Sequence, residues 1–278
     1  MLRAWGWIGL GLLAICWPLN WLLPGPRTHL LFFPLWLGLI LVLDSFVFRR
    51  KGSSLLSRDP ARFAGLFLLS VPFWWFFELL NRRVQNWHYV GGSFTPLEFF
   101  CLASLAFSTV IPAVLEASEL VSSFLKRPLL QSWKITVHPT LGWGMIAVGL
   151  ITLAMLLIWP RYFFPFLWIF PFLIVEGINY MAGYKSLLVY LQRGEWRPIL
   201  SLFGGVLICA FFWEFWNYWS WPKWVYTVPF FDFLHVFEMP LLGYLGYLPF
   251  ALAICSFIHL VQGAMRWPGY YLRLLPEG

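Results

Sequence analysis

Apolar stretches close to or above about 18 residues recur along the whole length of this chain, and no other feature constrains its folding as much. A run of that length spans the hydrocarbon core of a bilayer as a helix. Eight such segments are expected, near 5–23, 29–48, 63–81, 96–125, 141–159, 162–182, 198–219 and 236–262. Only 11 % of the 278 residues are charged, against about a quarter in a soluble domain. The fold class is therefore all-α: a polytopic helical membrane protein without a sizeable soluble domain. Arg3 followed directly by an apolar run, with no small-residue cleavage site, reads as a first span rather than a cleaved leader.

The net charge of +7 is not a nucleic-acid footprint, because basic residues of membrane proteins collect in cytoplasmic loops. With a cytoplasmic N-terminus, the inner segments hold Arg3, then Arg49, Arg50, Lys51, Arg58 and Arg62, then Lys126, Arg127 and Lys134, then Lys185, Arg193 and Arg197, then Arg266 and Arg273. The outer side keeps only Arg27, Arg82, Arg83, Arg161 and Lys223. Both termini are thus expected inside, in what we expect to be a bacterial cytoplasmic membrane, with Arg49-Arg50-Lys51 placed to touch anionic lipid. Loop punctuation comes from Pro24-Gly25-Pro26, Gly91-Gly92, Pro139, Pro160 and Pro222. Cys16, Cys101, Cys209 and Cys255 all lie in apolar runs without C-x-x-C spacing, which argues against disulfides and zinc.

Two stretches share a pattern. Phe76–Phe100 and Phe211–Pro240 each carry a Glu with an Asn three residues on (Glu78/Asn81, Glu214/Asn217). A Trp-x-Tyr follows (Trp87-Tyr89, Trp224-Tyr226), and then a second acid, Glu98 or Glu238. Upstream, Trp36, Asp44, Ser54 and Leu55 align without gaps on Trp168, Glu176, Ser186 and Leu187; Gly6-Trp7 matches Gly142-Trp143, and Trp17-Pro18 matches Trp159-Pro160. This predicts a 4+4 parallel internal repeat: residues 1–125, a cytoplasmic linker at 126–140, and 141–278 with a short cytoplasmic tail. An even number of spans per half puts the pseudo-two-fold axis along the membrane normal, with any shared site at the repeat interface.

Acids inside a bilayer cost about 2.5–3.5 kcal/mol each on insertion scales and normally face protein or a water-filled cavity. On this topology Glu78, Glu98, Glu214 and Glu238 share one depth near the outer interface, whereas Asp44 and Glu176 form a separate inner layer. The functional reading makes the four glutamates acid/base candidates in one pocket. Asn81 and Asn217 orient them, and Trp87, Tyr89, Trp224, Tyr226 and His235 form the binding wall. The plainer reading is that each glutamate caps a helix or holds loop backbone, with the aromatics as an interfacial belt. His235 and Glu238 stand at metal-ligand spacing, and Glu78, Glu98, Glu214 and His88 complete an imaginable set. Thr95 replaces His235 in the first half, however, so no metal is assigned. His259 reads as packed, His29 and His138 as loop edges, and Glu116 with Glu119 as a solvated face. No P-loop, Rossmann glycine pattern, H-E-x-x-H or nucleophile elbow is present.

The W-x-Y stretch, its glycine-containing loop and PLEFF at Pro96–Phe100 resemble the integral-membrane lycopene cyclases, and the first stretch with Glu78 upstream resembles bacterial carotenoid hydratases. The likeness covers about twenty residues per half; Phe99 replaces the second glutamate of the cyclase motif, and FEMP at Phe237–Pro240 puts proline after the acid. What the resemblance implies is acid chemistry on isoprenoid double bonds with no redox cofactor. The expectation is an acid-base enzyme acting on an isoprenoid or other lipophilic small molecule, with membrane lipid as partner and no cofactor. A transporter or channel using the intramembrane acids, and a structural or assembly subunit of a membrane complex, stay open beside it. Oligomeric state is not legible.

Overall fold

Apolar runs punctuated by capping residues dictate the element order in the computed structural model, which describes residues 1–23, 28–125, 133–138, 140–267 and 271–275. The chain begins with α1 (Ala4–Leu22) and α2 (Thr28–Lys51), and α2 ends at Gly52 with φ +75°. A one-turn helix follows, α3 (Leu55–Arg58), capped by Ser54, and then α4 (Pro60–Val84), capped by Asp59 with proline in its first turn. The strand β1 (Trp87–Val90) leads into α5 (Pro96–Phe107) and α6 (Val110–Ser122). The second half runs α7 (Thr140–Ile158), α8 (Pro160–Phe163), a 3-10 turn at Phe164–Leu167, α9 (Phe170–Met181), the short α10 (Leu187–Gln192) and α11 (Arg197–Tyr218). It closes with β2 (Lys223–Tyr226), the two-residue strands β3 (His235–Val236) and β4 (Met239–Pro240), a second 3-10 segment and α12 (Tyr247–Ala264).

The protein is mostly helical. Among the described residues, seven helical segments are long and apolar enough to cross a membrane, or up to eight if the pair bent by 47° (Pro160–Leu167 with Phe170–Met181) makes one span. This is consistent with an integral membrane protein. The all-α expectation needs one amendment, two small antiparallel β-pairs. The expected last span, 236–262, also differs: its first residues form the β3–β4 hairpin and a 3-10 turn rather than helix. Pro24-Gly25-Pro26, Arg27, Lys126, Arg127 and Pro139 lie outside the described residues.

The 96–125 run is broken at Ser108–Thr109, and the break is repaired from a neighbour. The buried Ser70 of α4 donates to the Phe107 carbonyl at 2.5 Å and accepts from the Ile111 amide at 3.1 Å. Backbone at membrane depth tolerates interruption only when freed groups find such partners.

Asp44 and Glu176, aligned in the sequence, make similar hydrogen bonds. Asp44 of α2 accepts from Ser54 Oγ and the Leu56 amide, both at 2.9 Å, fixing the start of α3. Glu176 of α9 accepts from Ser186 Oγ at 2.6 Å and the Leu188 amide at 3.1 Å, fixing α10. A Cβ on Gly6 would lie 2.5 Å from Ser45 Oγ, and one on Gly177 would lie 2.7 Å from the Gly142 carbonyl, so α1–α2 and α7–α9 both approach through small residues. Arg3 bonds Ser45 through its amide, and Arg273 bonds Glu119 through its own. Both ends of the described chain therefore meet at one end of the bundle, here the termini end. The β-strands lie at the opposite, sheet end.

Helices α6 and α11 cross closely at Gly205. A Cβ on Gly205 would lie 2.4–2.6 Å from Ser118 Oγ, N and Cα. Because backbone is in the way, Gly205→Ala is expected to cost about 1–3 kcal/mol, read as a lower denaturation midpoint in mild detergent. Gly11→Ala, which would meet nothing within 4 Å, serves as the neutral control.

Candidate functional site

The site is built around an antiparallel ribbon in which Trp87 faces Tyr226, His88 faces Val225 and Tyr89 faces Trp224. Side chains alternate along a strand. Trp87, Tyr89, Trp224 and Tyr226 therefore share one face, with His88 and Val225 on the other. The aromatic face roofs a cavity of about 430 Å³. Its walls include Phe99, Leu102, Ala103 and Ala106 of α5, with Trp168, Trp213 and Tyr247 beyond them. Trp168 stacks on Trp87 at 5.9 Å between ring centroids, and Trp213 stacks on Tyr247 at 5.8 Å. Such close ring contacts give the wall a fixed shape.

Two asparagines hold the ribbon to its helices. Asn81 Nδ2 donates to the Trp87 carbonyl at 2.8 Å, and its Oδ1 accepts from the Asn86 amide at 2.9 Å. Asn217 Nδ2 donates to the Trp224 carbonyl at 2.7 Å, and its Oδ1 accepts from the Trp224 amide at 2.9 Å. Each Asn lies one helical turn beyond a Glu, and each Glu receives the tyrosine of the same strand. Tyr89 donates to Glu78 Oε1 at 2.6 Å, and Tyr226 donates to Glu214 Oε1 at 2.7 Å.

The two glutamates differ in surroundings. Glu78 is half-buried and also accepts from Trp74 Nε1 and Trp87 Nε1, both at 3.0 Å. It opens onto a separate crevice of about 220 Å³ with Arg82 and His88. Glu214 is fully buried. Its Oε1 takes a second hydrogen bond from Tyr247 at 2.7 Å, while Oε2 has no hydrogen-bond partner among the described residues. Burial, and secondarily the Glu214 charge, push the Tyr226 hydroxyl well above the usual phenol range, so it stays a donor.

The expected convergence of four carboxyls is corrected by this geometry. Glu98 forms a capping box with Thr95: the carboxylate accepts from the Thr95 amide at 2.8 Å, and the threonine hydroxyl accepts from the Glu98 amide. Glu238 pairs with Lys223. His235 is exposed and bonded to Asp232 at 2.9 Å. Among the described residues none of Glu78, Glu98, Glu214, Glu238, Asn81, Asn217 and His235 lines the main cavity; Trp87, Tyr89, Trp224 and Tyr226 do. Glu214 reaches it through Tyr226 and Tyr247. The ribbon is the physical reason: strand pairing puts a layer of aromatic rings where the four acids were expected to meet. Tyr247 was not singled out from sequence, since nothing local separates it from the other aromatics, and Trp168 was noted only as the match of Trp36 and not as part of a binding wall.

Glu116 and Glu119, expected on a solvated face, are both fully buried. Glu119 pairs with Arg58 and accepts from the Arg273 amide at 2.8 Å. A helix face that reads as polar in isolation is covered here by α3 and the C-terminal segment.

Comparison with protein-family models, with curated proteins and with solved structures finds no match for this chain. The likeness to cyclases and hydratases therefore rests on the residues quoted above.

Proposed function

We propose that this protein is a duplicated membrane protein that binds a lipophilic molecule, of isoprenoid or comparable character, in the aromatic cavity and carries out acid–base chemistry on it through Glu214. The supporting observation is an apolar cavity whose tyrosine hydroxyls, Tyr226 and Tyr247, are both bonded to a fully buried carboxyl. A tyrosine that gives its proton to the ligand takes the one held on Glu214. In reverse, a tyrosine that takes a proton from the ligand passes its own to the carboxylate. Aromatic faces stabilise positive charge that develops on the ligand. Glu78, wetter and with three donors on one oxygen, serves as the organiser of the first half.

The repeat reading draws support from the shared Asp44/Glu176 and Asn81/Asn217 hydrogen bonds and from the ribbon register. Pairing Trp87 with Tyr226 and Tyr89 with Trp224 is what a pseudo-two-fold axis between His88 and Val225 produces. On the charge bias above, the sheet end faces outward and the termini end faces the cytoplasm. A transporter reading gains no support from the middle of the bundle. There Phe73 meets Phe250 and Phe257, and Trp36 meets Trp213, an aromatic layer between the sheet-end acids and Asp44.

The test is a lipid extract of cells with and without the protein, together with an extract of the purified protein, both examined by mass spectrometry. A lipophilic species is expected to copurify, and its cellular level is expected to change with expression. Ala106→Trp, which fills the cavity, should abolish both effects while the protein still accumulates. If Ala106→Trp leaves the copurifying species and its cellular change intact, the cavity is not the site.

A further inference from the structure

Two asparagines in the lining of the aromatic cavity take no part in the chemistry described above. Asn20, in the last turn of α1, is 2 % exposed, and Asn86, just before β1, is 5 % exposed. Asn20 Nδ2 donates to the Trp216 carbonyl at 3.3 Å. That bond fixes which way the amide is turned, because the reverse orientation would set its oxygen against another acceptor. Asn86 is held by its backbone. Its amide donates to Asn81 Oδ1 at 2.9 Å, and its carbonyl accepts from the Thr227 amide at 2.9 Å. The Asn86 side chain makes no hydrogen bond to any described residue, and in both asparagines Oδ1 is buried without a donor among the described residues.

The hydroxyl and ammonium groups of the lining are committed elsewhere. Tyr226 and Tyr247 donate to Glu214, and Tyr89 donates to Glu78. Ser220 Oγ lies 2.9 Å from the Asn217 carbonyl and 3.2 Å from the Pro222 carbonyl, and Lys223 pairs with Glu238. The fold itself calls for an amide at neither place. The Trp-x-Tyr match sets Lys223 against Asn86, and the Trp17-Pro18 match with Trp159-Pro160 sets Tyr162 against Asn20. Buried acceptors without donors are costly and rare, so a pair of them in one cavity lining points to a ligand that supplies the donor.

We infer that the ligand of this cavity is a lipophilic alcohol, anchored by its hydroxyl to the Asn86 carboxamide; the inference rests on the cavity reading above. A hydroxyl both donates and accepts, as a carboxamide does. The ligand O–H meets Oδ1 while Nδ2 meets the hydroxyl oxygen. Asn20 Oδ1 is a second buried acceptor of the same lining, and it too calls for a donor. A hydrocarbon, an ether and a ketone have no O–H or N–H to give. The rings and alkyl groups around the asparagines suit a long apolar body, and the few polar groups of such a site fix the ligand's orientation. They also reject an analogue that lacks the hydroxyl, because binding it would leave the amide buried and unpaired.

The test equilibrates the full chain in mild detergent with farnesol, its methyl ether or farnesene, repurifies the protein and measures the retained probe by gas chromatography. Ala106→Trp protein serves as the blank for probe carried by detergent. Farnesol is expected to bind about tenfold to a hundredfold more tightly than the ether or the hydrocarbon. Asn86→Leu removes the amide without breaking a side-chain hydrogen bond, so the protein should accumulate normally, retain farnesene at least as well and lose most of its preference for farnesol. Equal retention of all three probes, abolished by Ala106→Trp, would leave the cavity reading standing and overturn the alcohol, with water serving the amides instead. Retention indifferent to Ala106→Trp, or no retention of any probe, would overturn the inference, and the first of these would remove the cavity reading with it. An unchanged preference in Asn86→Leu would overturn the anchor. If that variant fails to accumulate, the comparison of probes on the wild-type protein still decides whether the ligand is an alcohol.

Discussion

Glu214→Gln is expected to lower turnover of the lipophilic substrate by about 10²-fold or more, the usual worth of a positioned acid or base. The amide keeps the shape of the side chain, and its oxygen still accepts from Tyr226 and Tyr247, which donate to Glu214 Oε1 at 2.7 Å. What it loses is the exchangeable proton. Insertion and accumulation should therefore be normal, and the loss should appear in kcat. Tyr226→Phe and Tyr247→Phe, taken singly, should each be milder, because the other hydroxyl still links the carboxyl to the cavity. Glu98→Gln should leave turnover unchanged, since that carboxylate is committed to its own helix cap. The readout is the ratio of product to substrate in cell lipid extracts, normalised to protein level. Retained turnover in Glu214→Gln would remove acid–base chemistry at this position. Loss of accumulation would assign Glu214 a folding role instead.

Asn81→Ala should produce the largest effect on stability. Its side chain satisfies the Trp87 carbonyl and the Asn86 amide, both buried. A buried backbone group stripped of its partner costs about 1–3 kcal/mol, so two such groups give about 2–6 kcal/mol. Asn217→Ala removes the matching pair of bonds from Trp224, but those are only partly buried, and water can replace part of what is lost. The order Asn81→Ala worse than Asn217→Ala is thus a sharper expectation than either magnitude. Asn81→Asp, which keeps the acceptor and loses the donor, should fall between wild type and Asn81→Ala. Denaturant unfolding in mild detergent, followed by tryptophan fluorescence, measures all of these. A change within about 0.5 kcal/mol for Asn81→Ala, the range of an indifferent surface substitution, would show that the ribbon is held by ring packing alone.

Much of the architecture was legible because it is local. A run of about twenty apolar residues spans a bilayer whatever its neighbours do. Glu78 with Asn81, and Glu214 with Asn217, share a helix face by spacing alone. The Glu98 cap was also legible: Thr95-Pro96-Leu97-Glu98 opens an apolar run with a capping-box signature, and that bland signal outweighed the catalytic one. The matched Asp44/Ser54 and Glu176/Ser186 positions stood in the sequence as well, although the hydrogen bonds that explain them did not.

Only the tertiary structure decided the rest, because it depends on which distant segments touch. Pairing of β1 with β2 brings residues well over a hundred positions apart into register; it turns two separate Trp-x-Tyr loops into one aromatic roof and keeps the four glutamates apart. Lys223 claims Glu238 across a loop. Glu116 and Glu119 form an ordinary polar helix face until α3 and the C-terminal segment close over them, bringing Arg58 and the Arg273 amide to Glu119 and leaving both carboxyls fully buried. Apolar run length is a property of the segment itself, whereas the partner of a charge is set by packing, so the sequence by itself determined where the long apolar helices run, and the tertiary structure decided how the last of them begins and where each carboxyl sits.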